Sequence, residues 1–368
     1  MEEILYEASK RCPKNIKNGP CGAVHDGRCE MGGICAWADA YKILERGKSL
    51  EGFEKVRGME KYYSKDKDAD KGFLVGSTLS KKYVPRLKDK DAEGDKGVVP
   101  FETKFSVTTE LDPPHGAKTG KMKNFLSALP NVDGVNIVDN PLGKPLMSGI
   151  LPALLVRKQG HVPIYQITCR ARNIEAIQSD LFSAYASGVR HILVLTGDYV
   201  QKGIKPVFET DSTILTKLIK TKLAEGMDFS NAPLDKPLDF WVGVAVNPNA
   251  TPLEAEIAKF EKKMTSADFA QTQAVFDKKL LRKFAKAISC PEKVLVGVLP
   301  VKDYKMANAL SKVPGITMPK IFMDKIKKDT GAGMKLAEGL VKEAKKLGFG
   351  GVHIMPMMDA GVVKDLLS

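Results

Sequence analysis

The chain has 368 residues, 43% of them hydrophobic and 27% charged, with a formal net charge of +13 at neutral pH. It is long enough to bury one large core, or to hold one large and one small domain, and the composition is that of an ordinary globular protein. No apolar run approaches a membrane span and Met1 to Lys10 does not read as a signal peptide, so a cytoplasmic chain with no membrane span is expected. The positive charge points to an acidic ligand or partner. No binding motif with interleaved aromatics accompanies it and the lysines are spread over helix-like stretches, so nucleic acid is not the expected partner. Polyanionic small molecules and an acidic redox partner both fit.

Residues 1–57 read as a small cysteine-rich domain. Cys12, Cys21, Cys29 and Cys35 are separated by eight, seven and five residues and interleaved with Gly19, Gly22, Gly27, Gly32 and Gly33. Glycines let a backbone curl round a buried centre and aim its amides at sulfurs. The segment has too few large apolar residues to fold alone, so a bound metal centre would supply much of its stability. In a reducing compartment four clustered thiolates point to metal rather than disulfides. Paired CxxC knuckles are missing, which favours a 4Fe-4S cluster, with zinc as the alternative. Ala36 to Arg46 reads as a short helix.

Residues 58–100 turn to mixed charge (KYYSKDKDADKGF, then KDKDAEGDKG) and read as a solvated linker or extension. From residue 101 to the end, strand-like and helix-like runs alternate. The strand-like runs are FSVTTE, DGVNIVDN, VPIYQITC, HILVLTGD, FWVGVAVNP, DFAQTQAVFD, KVLVGVLPV and GGVHIMPM. Amphipathic stretches such as NIEAIQSDLFSAYASG and PLEAEIAKFEKKMTS lie between them. Eight β units with intervening helices predict an α/β fold, a (β/α)8 TIM barrel, behind the cysteine-rich metal-cluster domain. An open doubly wound sheet is the alternative, but no G-x-G-x-x-G follows the first strand.

The run FSVTTELDPP delivers Glu110 to a strand end and stops at Pro113-Pro114, which is where barrel enzymes place their chemistry. Other strand ends carry Asp139-Asn140, Thr168-Cys169-Arg170, Gly197-Asp198 and Gln273. A packed barrel interior does not want these groups, so together they predict a polar pocket at one face. Asp139 and Asp198 each have the alternative of capping the helix that follows.

The ordered set TELDPP, DGVNIVDN, QITCRARN, VLTGD, SADFAQTQAVFD, GVLPV and PGITMPK resembles the successive motifs of the methylenetetrahydrofolate reductase family, over about Phe105 to His353. The stretch CPKNIKNGPCG…GRCE…CAW is similar to a cysteine-rich module found beside such reductases, where it is considered cluster-binding. The resemblance implies a flavoprotein that moves hydride between reduced flavin and a one-carbon unit on a reduced pterin, folate or methanopterin in type. The methylene carbon is locked between two nitrogens and must open to an iminium before it accepts hydride. Opening needs a proton donor held near neutrality, such as a carboxyl in a partly apolar mouth.

By the resemblance, Glu110 matches the family's general acid, Asp198 the acid that contacts pterin and flavin edge, and Gln273 the amide that grips the pterin. Thr168 and the Thr168-Cys169-Arg170 segment match a flavin-contacting strand end, beside Asn140 and Gly197. Arg170 and Arg172 suit phosphate as guanidinium forks. Where many members place an aromatic before Pro-Pro, this chain has Asp112, which either raises the pKa of Glu110 or faces solvent. The run VNPNATP offers Asn247 and Thr251 where many members contact adenosine with Tyr and His, so FAD and FMN both stay open. His353 is kept in the last strand. The cluster would act as an electron port, with NAD(P)H, ferredoxin, a deazaflavin coenzyme or a partner redox subunit as donor, in a homo-oligomer or larger complex. Two other classes are a flavin-free pterin-dependent methyltransferase and a cluster-bearing electron-transfer subunit.

Overall fold

The computed structural model describes residues 2–14, 16, 19, 24–46, 105–198, 206–313 and 315–367. Cys21 and the charged stretch 58–100 lie outside these residues. The N-terminal part contains helix α1 (Glu2–Arg11), a two-stranded antiparallel ribbon, β1 (Val24–His25) and β2 (Arg28–Cys29), and helix α2 (Ala36–Arg46). Helix α2 spans the residues that the sequence predicts. It buries Trp37, Ala40 and Leu44 against Leu5 and Ala8 of α1 and Val24 of the ribbon. The Trp37 indole donates to the carbonyl of Ile16 at 3.0 Å, which meets the polar need of a buried indole.

The rest is a closed barrel of eight parallel strands: β3 (Ser106–Leu111), β4 (Gly134–Ile137), β5 (Pro163–Thr168), β6 (His191–Leu195), β7 (Trp241–Val246), β8 (Phe269–Ala274), β9 (Val294–Val298) and β10 (Gly351–Ile354). β10 pairs with both β9 and β3, which closes the ring. The fold is a TIM barrel. All eight strand-like runs of the sequence supply its strands, in order. Helices between them include α3 (Gly120–Ala128), α4 (Ile150–Lys158), α5 (Ile174–Ala186), α6 (Ser212–Thr221), α7 (Leu253–Met264) and α8 (Lys278–Ala287). Side chains of Asn173, Asp211 and Asp277 cap α5, α6 and α8 by accepting from first-turn amides. Among the described residues no helix is long and apolar enough to cross a membrane.

Two cores follow from the period-two alternation of strand side chains. Outward positions such as Leu111, Val135, Ile167, Val194 and Val296 pack under the helices in the main core. Inward positions near the strand beginnings, Ile164, Leu193, Phe269 and Leu295, fill the barrel floor. Gly243 makes room for this floor, because a Cβ there would collide with the Phe269 ring. Higher up, the inward positions turn polar.

The N-terminal part meets the barrel at its mouth. Lys14, only 2% exposed, pairs with Glu30 and donates to the carbonyl of Gly197 just past β6, at 3.4 Å. Its ammonium lies 5.9 Å from the ring centre of Phe208. Gly19 rests against the aliphatic stem of Lys259 on α7, at 3.7 Å from where a Cβ would sit.

Candidate active site

In a closed parallel barrel every strand's C-terminal end opens on one face. Glu110, Asp139, Thr168, Gly197 and Gln273, which end or follow β3, β4, β5, β6 and β8, therefore share one rim.

Below the rim, a buried layer of polar side chains crosses the barrel: Thr108, Asn136, Gln166, Gln271 and His353. Gln166 Nε2 donates to Asn136 Oδ1 at 3.5 Å, and Asn136 Nδ2 donates to Gln271 Oε1 at 3.2 Å. The same Nδ2 faces His353 Nδ1 at 3.2 Å, and the Thr108 hydroxyl meets that nitrogen at 3.0 Å. An amide nitrogen only donates, so Nδ1 is the acceptor and Nε2 carries the imidazole proton. Nε2 faces Glu110 Oε2 at 3.4 Å. The layer thus aims a hydrogen-bond donor at Glu110 from below. A buried network of this kind is favourable only when its members are satisfied, and here each amide finds a partner.

Asp112 follows Glu110 by two residues. Its amide donates to Met358 Sδ at 3.2 Å. Burial first, then the charge of Glu110, raises its pKa from 3.8 to about 6. Of the two roles the sequence left open for this acid, facing solvent is not what is found, because Asp112 is part-buried.

A second cluster joins the ends of β4, β5 and β6. Asp139 Oδ2 accepts from the Thr168 amide at 2.9 Å, the Thr168 hydroxyl at 2.7 Å and Arg172 at 2.6 Å. Arg172 completes a fork on Asp139 Oδ1 at 3.1 Å and pairs with Asp180 at 2.7 Å. Burial works against its charge, but the hydrogen bond and field of Asp139, with Tyr165 and Asp180 behind it, raise the pKa. The guanidinium expected on phosphate is thus spent on two carboxylates. Arg170 is buried, and donates to the carbonyls of Asn140 and Asp198 at 3.3 and 3.2 Å. Gly197, at φ +92°, passes so close to Arg170 and Thr168 that a Cβ would stand 2.8 Å from the Arg170 Cβ. Asp198 accepts from the Leu142 amide at 2.6 Å, and Asn140 Oδ1 from the Leu146 amide at 2.6 Å. Asp139 and Asp198 therefore stabilise neighbouring strand ends and loops, and among the described residues neither caps a helix.

Three other predicted residues lie apart from both clusters. Cys169 points outward into the main core, fully buried, where burial pushes its thiol pKa well up; alternation places it on the opposite face from Thr168. Asn247 is buried in a lattice with Asn249 and the carbonyls of Gly315 and Ala274. Gln273 folds its Oε1 onto the Ala274 amide at 3.1 Å, beside a register shift in β8. In the N-terminal part, Cys12 and Cys29 border the small core that contains Cys35. Among the described residues no group of three or more His, Cys, Asp or Glu side chains is arranged to hold a metal ion. Asn136, Gln166 and Gln271 went unnoticed in the sequence, although each is a polar residue inside an apolar strand run.

The family profile described as methylenetetrahydrofolate reductase matches residues 98–368. The chain belongs to the methylenetetrahydrofolate reductase family. A second profile, described as methylene-tetrahydrofolate reductase C terminal, matches residues 7–63, which here precede the barrel. A curated relative, 5,10-methylenetetrahydrofolate reductase of Pectobacterium carotovorum subsp. carotovorum, is 25% identical over 162 residues, or 42% of this chain and 48% of that protein. The match spans about half the length of that reductase. Among solved structures, an uncharacterized protein from Clostridium thermocellum, described as binding two copies of 5-methyl-5,6,7,8-tetrahydrofolic acid, superposes with a TM-score of 0.51. It is 12% identical, over 72% of this chain and 95% of that one, and shares the fold.

Proposed function

We propose that this member of the reductase family interconverts methylene- and methyl-tetrahydropterin at the barrel mouth. The observation that carries the reading is Glu110 at the end of β3, held by His353 across the closing seam of the barrel, inside the residues that match the family. A carboxyl fixed from below presents its remaining lone pairs upward, where a substrate nitrogen can exchange a proton with it. The neighbouring Asp112 adds a group that titrates close to neutrality.

A flavin, FAD or FMN, suits the rim chemically: Thr168, Asn140, Gly197 and Arg170 offer main-chain and side-chain polar groups at adjoining strand ends. When bound, it would supply the hydride. The protein's own part is to hold the pterin edge, with Gln273 and Asp198 as candidates, and to manage the proton at Glu110. The same reading gives Cys12, Cys21, Cys29 and Cys35 a 4Fe-4S cluster, or zinc in its place. It is supported by Cys12 and Cys29 bordering the small core that contains Cys35, and by Lys14, two residues from Cys12, reaching Gly197.

The test is anaerobic purification followed by flavin, iron and sulfide analysis and turnover with methylenetetrahydrofolate. Glu110→Gln should keep the flavin spectrum and lose about a hundredfold or more of the turnover. A protein without flavin absorbance, or an E110Q variant as active as its parent, would end this reading; the first result would favour flavin-free methyl transfer.

A further inference from the structure

One side chain of the N-terminal part reaches the rim of the barrel. Lys14 follows α1, and it and its ion-pair partner Glu30 are both buried, at 2% and 7% side-chain exposure. The Lys14 ammonium donates to the carbonyl of Gly197 at 3.4 Å, just past β6, and lies 5.9 Å from the ring centre of Phe208. The segment that carries it is fastened two residues on, where the buried Ile16 accepts from the Trp37 indole. Attachment alone does not call for such a pair. Burying a Lys and a Glu strips both charges of water, and apolar residues of similar volume would hold the contact as well or better. What an apolar side chain cannot do is hold a carbonyl.

The carbonyl of Gly197 needs holding. Gly197 stands at φ +92° against Thr168 and Arg170. A glycine in this region lets the adjoining peptide turn over at little cost, so local sterics do not fix the Gly197–Asp198 peptide. Its neighbours are fixed. Arg170 donates to the Asp198 carbonyl at 3.2 Å, and the Asp198 carboxylate accepts from the Leu142 amide at 2.6 Å. The Arg170 carbonyl in turn accepts from the Phe208 amide at 3.4 Å. Among the described residues, Lys14 is what holds the carbonyl of Gly197. The C=O and N–H of a trans peptide point in opposite directions, so a carbonyl held on Lys14 turns the Asp198 N–H away from the N-terminal part.

We propose that Lys14 is a positioning residue of the active site, through which the N-terminal part locks the Gly197–Asp198 peptide and sets how Asp198 meets the pterin. The inference rests on the reductase reading above and adds to its site a residue from outside the barrel. Lys14 touches no substrate and acts through Gly197. The N-terminal part is then a component of the pterin site, whatever its cysteines hold.

The experiment compares full-length parent, K14M and K14M/E30L, each with its bound cofactor. The readouts are thermal unfolding, calorimetric titration with methyltetrahydrofolate, and amide hydrogen exchange from β6 to Asp198. K14M should melt below the parent, and the double variant should recover most of that loss because no buried charge is stranded. The double variant should still bind methyltetrahydrofolate about tenfold more weakly. Its Gly197 and Asp198 amides should exchange about tenfold faster, while those within β6 keep the parental rate. A mere tether would behave differently, with affinity and exchange recovering together with the melting temperature. Parental affinity in the double variant, or parental exchange at those two amides, overturns the inference. So does faster exchange throughout β6, the mark of general loosening. A parent that does not bind methyltetrahydrofolate overturns the functional reading instead, and the exchange comparison still decides whether Lys14 locks the peptide.

Discussion

The barrel interior has two storeys built from the same strands. The floor is Ile164, Leu193, Phe269 and Leu295. Two residues further along two of those strands the inward positions become Gln166 and Gln271, and the neighbouring strands β4 and β10 add Asn136 and His353. Both storeys are buried, but they are held by different forces. The floor gains from apolar surface removed from water and from close packing. The upper storey gains little net stability from its hydrogen bonds, yet each is expensive to leave unmade. Damage to the floor should therefore appear as lost stability, and damage above it as altered chemistry at Glu110.

The largest effect expected from breaking this division is Phe269→Ala. It empties the centre of the floor and should cost about 3–5 kcal/mol in denaturant unfolding. Gly243 leaves no side chain to fill the space, and the residual activity should keep the parent's pH profile. Comparable in size is Lys14→Met, which strands the buried Glu30 beside the mouth and should cost about 3 kcal/mol. The double variant K14M/E30L should regain most of that loss, and a K14M as stable as its parent would show the pair to be idle. Smallest in stability is His353→Phe, at about 1–3 kcal/mol, because it leaves Asn136 and Thr108 without a partner. Its signature lies in the site: turnover should fall about tenfold or more as Glu110 loses its donor.

Much of the architecture was legible in the sequence because a parallel barrel writes itself as eight apolar runs with helices between. The strand ends were legible too, since polar groups cannot be buried idly in such a fold. Side-chain partners were harder to read. Arg172 sits four residues beyond Thr168, and nothing local tells that Asp139, on another strand, takes its fork. Cys169 shows the opposite case, because counting in twos from Thr168 places it outside the barrel from sequence alone. Asn136 in GVNIV and Gln166 in PIYQIT carried a readable signal: a lone amide amid β-branched neighbours at an inward phase. Asp112 lay beyond such counting, because its shift comes from burial and from the charge of Glu110.

The amide layer under Glu110 is a line of donors with a direction. Asn136 gives its hydrogens toward Gln271 and His353 and receives from Gln166. Were that one amide turned over, the imidazole would have to carry its hydrogen on the other nitrogen, and Glu110 would meet a lone pair where it now meets a proton. Rotamer choice at a residue with no access to solvent thus sets the polarity of the rim at Glu110, and a change as slight as Asn136→Asp would rewire it without moving the backbone.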